Sequence, residues 1–242
     1  MARKWPFSTR LGRFTGDRRV LLLLVAIAFA VGARAWLQEH PEHNPWAPLD
    51  LRDPPGWATA TKLAALRSDP ALCAAVLTRS DIAFDTLDPA GEGACRREDR
   101  TVLGAYPLSP ARPPTTCALG VALTLWKPDL DAAAREHLGA EIRRIEHLGA
   151  YSCRRKYGRE TGGWSEHATG NAIDVAGFVL SDGRRISVLR GWKSDESAAR
   201  FLRDARDAAC RNFGITLSPD YNAAHADHFH LDMGARPGGL CR

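Results

Sequence analysis

Residues 20–33, VLLLLVAIAFAVGA, form an unbroken apolar run behind a basic N-terminus. A helix that is apolar on every face has no place on the surface of a water-soluble domain. Six basic residues (Arg3, Lys4, Arg10, Arg13, Arg18 and Arg19) precede the run, with Asp17 as the single acid. Lys and Arg ahead of an apolar span hold that end in the cytoplasm, so residues 1–19 read as a basic cytoplasmic segment and the rest as exported. Fourteen clean apolar residues suit the core of a signal peptide, and Ala33-Arg34-Ala35 resembles a small-x-small cleavage site. Continued through Leu37, the run has 18 positions, enough for a short membrane span with Arg34 reaching the interface. Residues 20–37 are expected to be a transmembrane anchor or a cleaved signal, and the long basic segment favours the anchor.

The net charge of +5 belongs entirely to residues 1–19, because residues 20–242 hold 27 basic and 27 acidic side chains. A neutral domain carries no electrostatic footprint for DNA or RNA, so nucleic acid is excluded as a partner. All six cysteines (Cys73, Cys95, Cys117, Cys153, Cys210 and Cys241) follow the apolar run, and no CxxC pair occurs among them. An even number of cysteines in an exported chain reads as up to three disulfides. Cys210 with Cys241 is the expected pair, pinning the last segment back onto a helix.

At 242 residues the chain suffices for one packed domain plus its extension. Residues 38–58 contain five prolines and no periodicity, and read as a Pro-rich linker. The domain is expected over residues 59–242. Two short helices fill 59–79, the second capped by Asp69 with Pro70 at its first position. Short strands or turns follow to residue 106. Residues 116–126 fit a strand or a buried helix equally. From Pro128, Leu130, Ala134, Leu138, Ile142, Ile145 and Leu148 recur at helical spacing, with Gly149 as the stop. A strand is expected at 150–155 and another at 171–180, which turns at Asp182-Gly183 into RRISVL. Ser194 is the expected cap of a second amphipathic helix, with Asp195 and Glu196 in its first turn and Gly214 at its end. A final strand is expected from His228 to Met233. The fold class is thus α+β, with helices packed on a small antiparallel sheet.

Four of the eight histidines fall in two short stretches, SEHATGNAID (165–174) and AHADHFHLD (224–232). Imidazole and carboxylate are donors that zinc selects. His167 lies in a loop entering the strand that carries Asp174, and His228 and His230, two apart on a strand, share a face. Three protein ligands with a fourth position left for water is the catalytic arrangement of zinc. Trp126, Trp164 and Trp192 are assigned to packing.

The HxxxxxxD stretch followed by HxH resembles the LAS-type zinc peptidases, a group containing D-Ala-D-Ala carboxypeptidases and peptidoglycan endopeptidases, and within it the bacterial extensin-like C-terminal domain proteins. The resemblance covers roughly residues 59–242 and implies a LAS peptidase-like fold with His167, Asp174 and His230 as zinc ligands. It implies a catalytic base just upstream of the last ligand, at His228 or Asp227, of which His228 is favoured because Asp227 faces away from His230 on a strand. It also implies an oxyanion-stabilising arginine at Arg154, with Arg155 as the fallback, and a loop frame made by Ser165 and Gly170. The function implied is an exported zinc-dependent peptidase acting on peptidoglycan stems or cross-links, held in the inner membrane by one span with its domain in the periplasm, or released there after signal cleavage. The alternative is a non-catalytic wall-binding module that keeps the metal as structure.

Overall fold

The computed structural model describes residues 15–194, 196–235 and 239–242. Helix α1 (Thr15–Glu39) takes in the apolar run and is long and apolar enough to cross a membrane. The following segment is irregular, but it is more than a tether. Leu49 is buried in the core, its carbonyl accepts from Arg79 Nη1 at 3.2 Å, and Leu51 N–H donates to Ser80 Oγ at 2.9 Å. This lays the segment onto the domain that it introduces.

Helices α2 (Thr59–Leu66) and α3 (Pro70–Arg79) come next, and Asp69 caps α3 as expected, accepting from Leu72 N–H at 2.8 Å. Strands β1 (Phe84–Thr86) and β2 (Thr101–Leu103) make a small antiparallel pair, and β3 is Leu108–Ser109. Helix α4 corrects the sequence reading at both ends. It runs from Cys117 to Leu138, takes in the ambiguous 116–126 stretch, and carries Pro128 in its interior. Thr116 caps it, and Gly139 ends it in the left-handed region at φ 67°, where a residue without Cβ pays no steric cost.

Residues 142–148, expected to continue that helix, form strand β4 (Ile142–Gly149) instead. The misleading three-residue spacing of Ile142 and Ile145 has a physical cause. The ladder slips in register between Ile142 and Arg144, and this bulge turns both side chains into the core. The strand expected at 150–155 is absent, with only an isolated bridge from Arg155 to Trp164. Strand β5 (Ala172–Leu180) turns at Asp182-Gly183 into β6 (Arg185–Ser187), as expected, and a short α5 (Val188–Gly191) follows. Helix α6 spans Ser197–Asn212 with Glu196 at its cap position. Ser194 does not cap it, because its hydroxyl donates to the Gly191 carbonyl at 2.9 Å; Asp195 lies outside the described residues. Strands β7 (Ile215–Leu217), β8 (Phe229–Asp232) and β9 (Leu240–Cys241) close the chain, so the strand expected to be final is followed by one more.

The main sheet has the order β3-β4-β5-β8-β7-β9, with β6 also paired to β5. Its centre is antiparallel, as expected, but both edge pairs, β3–β4 and β7–β9, are parallel, which makes the sheet mixed. Ile173, Val175, Phe229 and Leu231 join α4 and α6 in the core. Trp126 stands at its centre, edge-on to Phe178 and Phe213, with Nε1 donating to the Ala205 carbonyl at 2.9 Å. Side chains alternate along a strand, so Asp174, His230 and Asp232 leave the sheet on the other face. Three disulfides staple the domain: Cys73–Cys117, Cys95–Cys153 and, as expected, Cys210–Cys241.

Candidate metal centre

A short 3-10 turn, Glu166–Thr169, carries His167 onto that outer face of the sheet. Ser165 starts the turn, its hydroxyl accepting from His167 N–H at 3.3 Å. Gly170 ends it in the left-handed region at φ 73°, and its carbonyl accepts from Thr116 N–H at the head of α4. The S-x-H-x-x-G frame therefore sets the backbone path that buries His167.

His167, Asp174 and His230 come together as expected. His167 Nε2 is 3.1 Å from Asp174 Oδ1 and 3.2 Å from His230 Nδ1, and the last two atoms are 3.0 Å apart. Tetrahedral ligands at zinc bond lengths stand roughly 3.3 Å from one another, so this triangle has nearly the size that the ion needs. The outer ring nitrogens settle the tautomers. His167 Nδ1 lies 3.2 Å from the Ala150 carbonyl, and His230 Nε2 lies 2.9 Å from Asp232 Oδ2. A carbonyl and a carboxylate only accept, so each ring places its proton there and turns a lone pair toward Asp174. Two imidazole lone pairs and a carboxylate oxygen then converge on one point, and a proton or a cation must share it. The charges respond accordingly. Burial pushes the His230 imidazole down, but bonds to Asp174 and Asp232 outweigh it and lift its pKa to about 9. Burial raises the Asp174 carboxyl, yet the proton shared with the His167 and His230 rings beside it holds it well below the usual range. Two imidazoles, one carboxylate and oriented outer nitrogens are a donor set that fits zinc.

His228 stands beside the triangle. Its Nδ1 bonds Asp227 Oδ1 at 2.7 Å, which leaves Nε2 facing the centre, 3.5 Å from Asp174 Oδ1. Asp227 itself is half exposed and sits behind His228, oriented on that ring rather than on the triangle. His225 is buried against His228 and His230 with Nδ1 on Asn222 Oδ1 at 2.7 Å. Burial first, and then its two histidine neighbours, push its pKa down to about 4, so it packs as a neutral ring.

These residues floor a cleft of about 820 Å³ that Arg154 also lines. Arg155 is engaged elsewhere, over the Trp164 ring at 4.5 Å and on the Gly162 carbonyl. Trp126, Trp164 and Trp192 do not line the cleft; Tyr157, Tyr221 and Leu148 do. Sequence reasoning missed the two tyrosines, which bear no motif. It also missed Asp232, whose position two residues beyond His230 on a strand was a usable signal. Among the described residues one other group has ligand atoms within 4.8 Å of one another, Glu136, His137 and Asp204, but it is a surface cluster in which His137 simply pairs with Asp204.

In comparisons with known proteins, no curated protein and no solved structure matches the chain. The family model described as the extensin-like protein C-terminus matches residues 71–242, a stretch that takes in all three disulfides, the zinc-sized triangle and His228, and the chain belongs to that family.

Proposed function

We propose that the chain is an exported zinc-dependent peptidase related to the LAS group, whose domain of residues 59–242 hydrolyses peptide bonds in peptidoglycan stems or cross-links. The observation that carries this reading is the convergence of three lone-pair donors beside an open cleft, with one more imidazole nitrogen directed at the same point. Zinc held by His167, Asp174 and His230 would supply Lewis-acid polarisation of a carbonyl and a water of lowered pKa. His228, with Nδ1 held by Asp227, has Nε2 free to take a proton and pass it to a leaving amine. Arg154 on the cleft wall supplies a fixed positive charge for a developing oxyanion, worth about 3 kcal/mol by typical donor losses. A cleft of this volume accepts a short extended peptide, and its two tyrosines offer flat apolar contact. The anchor reading of α1 places the domain in the periplasm, on the outer side of an inner membrane, where its disulfides are stable.

The test is digestion of purified peptidoglycan by the full-length chain in detergent, read by the masses of released fragments. New fragments are expected from wild type and none after chelation. His228→Ala and Arg154→Ala should each keep one bound zinc by native mass while cleavage falls by roughly 100-fold or more. Zinc retained with unchanged wall from several sources would replace the peptidase with a wall-binding module. No zinc in wild type would remove the metal reading altogether.

A further inference from the structure

The end of α1 is joined to the domain by a stack of rings. Trp36 in the last turns of α1 stacks on His40 at 4.4 Å and on His43 at 5.3 Å, and His43 stacks in turn on Trp57 at 5.8 Å. Trp57 N–H donates to His43 Nδ1 at 3.3 Å, and Lys62 Nζ on α2 donates to the Pro41 carbonyl at 2.7 Å. The backbones touch as well, since a Cβ on Gly56 would lie 2.2 Å from the Glu42 carbonyl oxygen. These contacts make a fixed joint between α1 and α2. Yet the indoles that build it face outward: Trp36 is 44% exposed, Trp57 64%, and the nearby Trp46 83%.

The apolar run from Val20 to Leu37 is roughly 27 Å long as a helix, close to the hydrocarbon thickness of about 30 Å. Trp36 therefore stands at the outer boundary of the hydrocarbon, and the stack keeps Trp57 within two ring spacings of it. Indoles concentrate at that depth because one edge is apolar and the N–H seeks polar partners. We propose that residues 36–57 form a collar that lies in the headgroup zone of the membrane α1 crosses, with Trp36, Trp46 and Trp57 as its anchors, so that α2 begins at the bilayer surface. The partner is the lipid interface itself. The proposal rests on α1 being a retained anchor and is independent of any peptidase activity.

The test is the full-length chain in phosphatidylcholine–phosphatidylglycerol vesicles whose acyl chains are brominated near the headgroup, read by quenching of tryptophan fluorescence. Trp36 is quenched in any anchored chain, so the decisive signal is the difference between wild type and variants. Trp57→Phe and Trp46→Phe should each remove part of the quenched fraction. Gly56→Ala, which forces the joint apart, should remove the Trp57 part while Trp57 is still present. A quenched fraction that rises or stays level in Trp57→Phe and Trp46→Phe, with the absolute quenched emission unchanged from wild type, would place these indoles in water and overturn the collar. An intact mass beginning after Ala35, with no vesicle association, would overturn both anchor and collar and leave the metal centre untouched.

Discussion

Asp174 and His230 are direct partners across the β5–β8 ladder, and their ligand atoms stand 3.0 Å apart. Opposite positions on antiparallel strands bring Cβ atoms within about 5 Å, so pairing alone presents a carboxylate and an imidazole to the same point. His167 arrives from a separate turn, and Asp232 holds the far side of His230. The sheet register is therefore what assembles the centre, and changes that leave the register alone should affect the centre in graded ways.

Asp232→Asn keeps the shape of the group behind His230 but removes its charge. Loss of such an outer carboxylate weakens metal binding by roughly 10- to 100-fold. Zinc titration of the full-length chain in detergent should show that loss with little change in the far-UV spectrum. His167→Ala should abolish stoichiometric zinc altogether, as read by native mass.

In chelator, stability should fall as pH rises from 6.5 to 9. The folded pKa of His230 is raised to about 9 from 6.5, so its contribution is fully present below the unfolded value and is lost on passing the folded one. His225 and Asp174, shifted downward, do not titrate in that window. Thermal unfolding at several pH values should show the slope in wild type and lose it in His230→Gln. A flat wild-type profile would contradict the charge balance described for the triangle.

Gly170→Ala should cost about 1–2 kcal/mol, because a left-handed backbone penalises any Cβ. The nearest atom to the new methyl, the Pro114 carbonyl oxygen, is 3.4 Å away, so strain rather than collision is the cause. Relief of that strain tilts the turn bearing His167, and weaker zinc binding should accompany the lower melting temperature. A stable variant with unaltered zinc affinity would show that the turn does not position the ligand.

Replacing Cys73 and Cys117 together by Ala should cost about 4 kcal/mol by loop entropy, since the bridge closes 44 residues between α3 and α4. Denaturant unfolding measures it. The centre lies on the opposite face of the sheet, so zinc bound per folded chain should not change.

How legible the site was depended on how local its causes are. His167, Asp174, His228 and His230 are legible in two short stretches because each owes its orientation to a nearby cause: Ser165 and Gly170 for His167, strand alternation for Asp174 and His230, and the neighbouring Asp227 for His228, which lies in a bend just before β8 rather than on the expected strand. Asp69-Pro70 announced α3 for the same reason. Helix α4 and strand β4 differ from the sequence reading because a register slip gives Ile142 and Ile145 a helical spacing, and because the buried stripe that continues past Pro128 through Leu130, Ala133 and Ala134 outweighs the cost of that proline.

By itself the order of residues determined what acts within a few positions: an apolar helix long enough to cross a membrane, an even set of cysteines, a donor set suited to zinc, and the turn that carries its first member. Only the tertiary structure decided which strands pair. That choice set Asp174 opposite His230, put Asp232 behind it, turned Asp227 away toward His228, and brought Tyr157 and Tyr221 to the cleft wall. The reason is physical: register and burial are properties of the whole core, in which every residue's preference is weighed against its neighbours across the sheet.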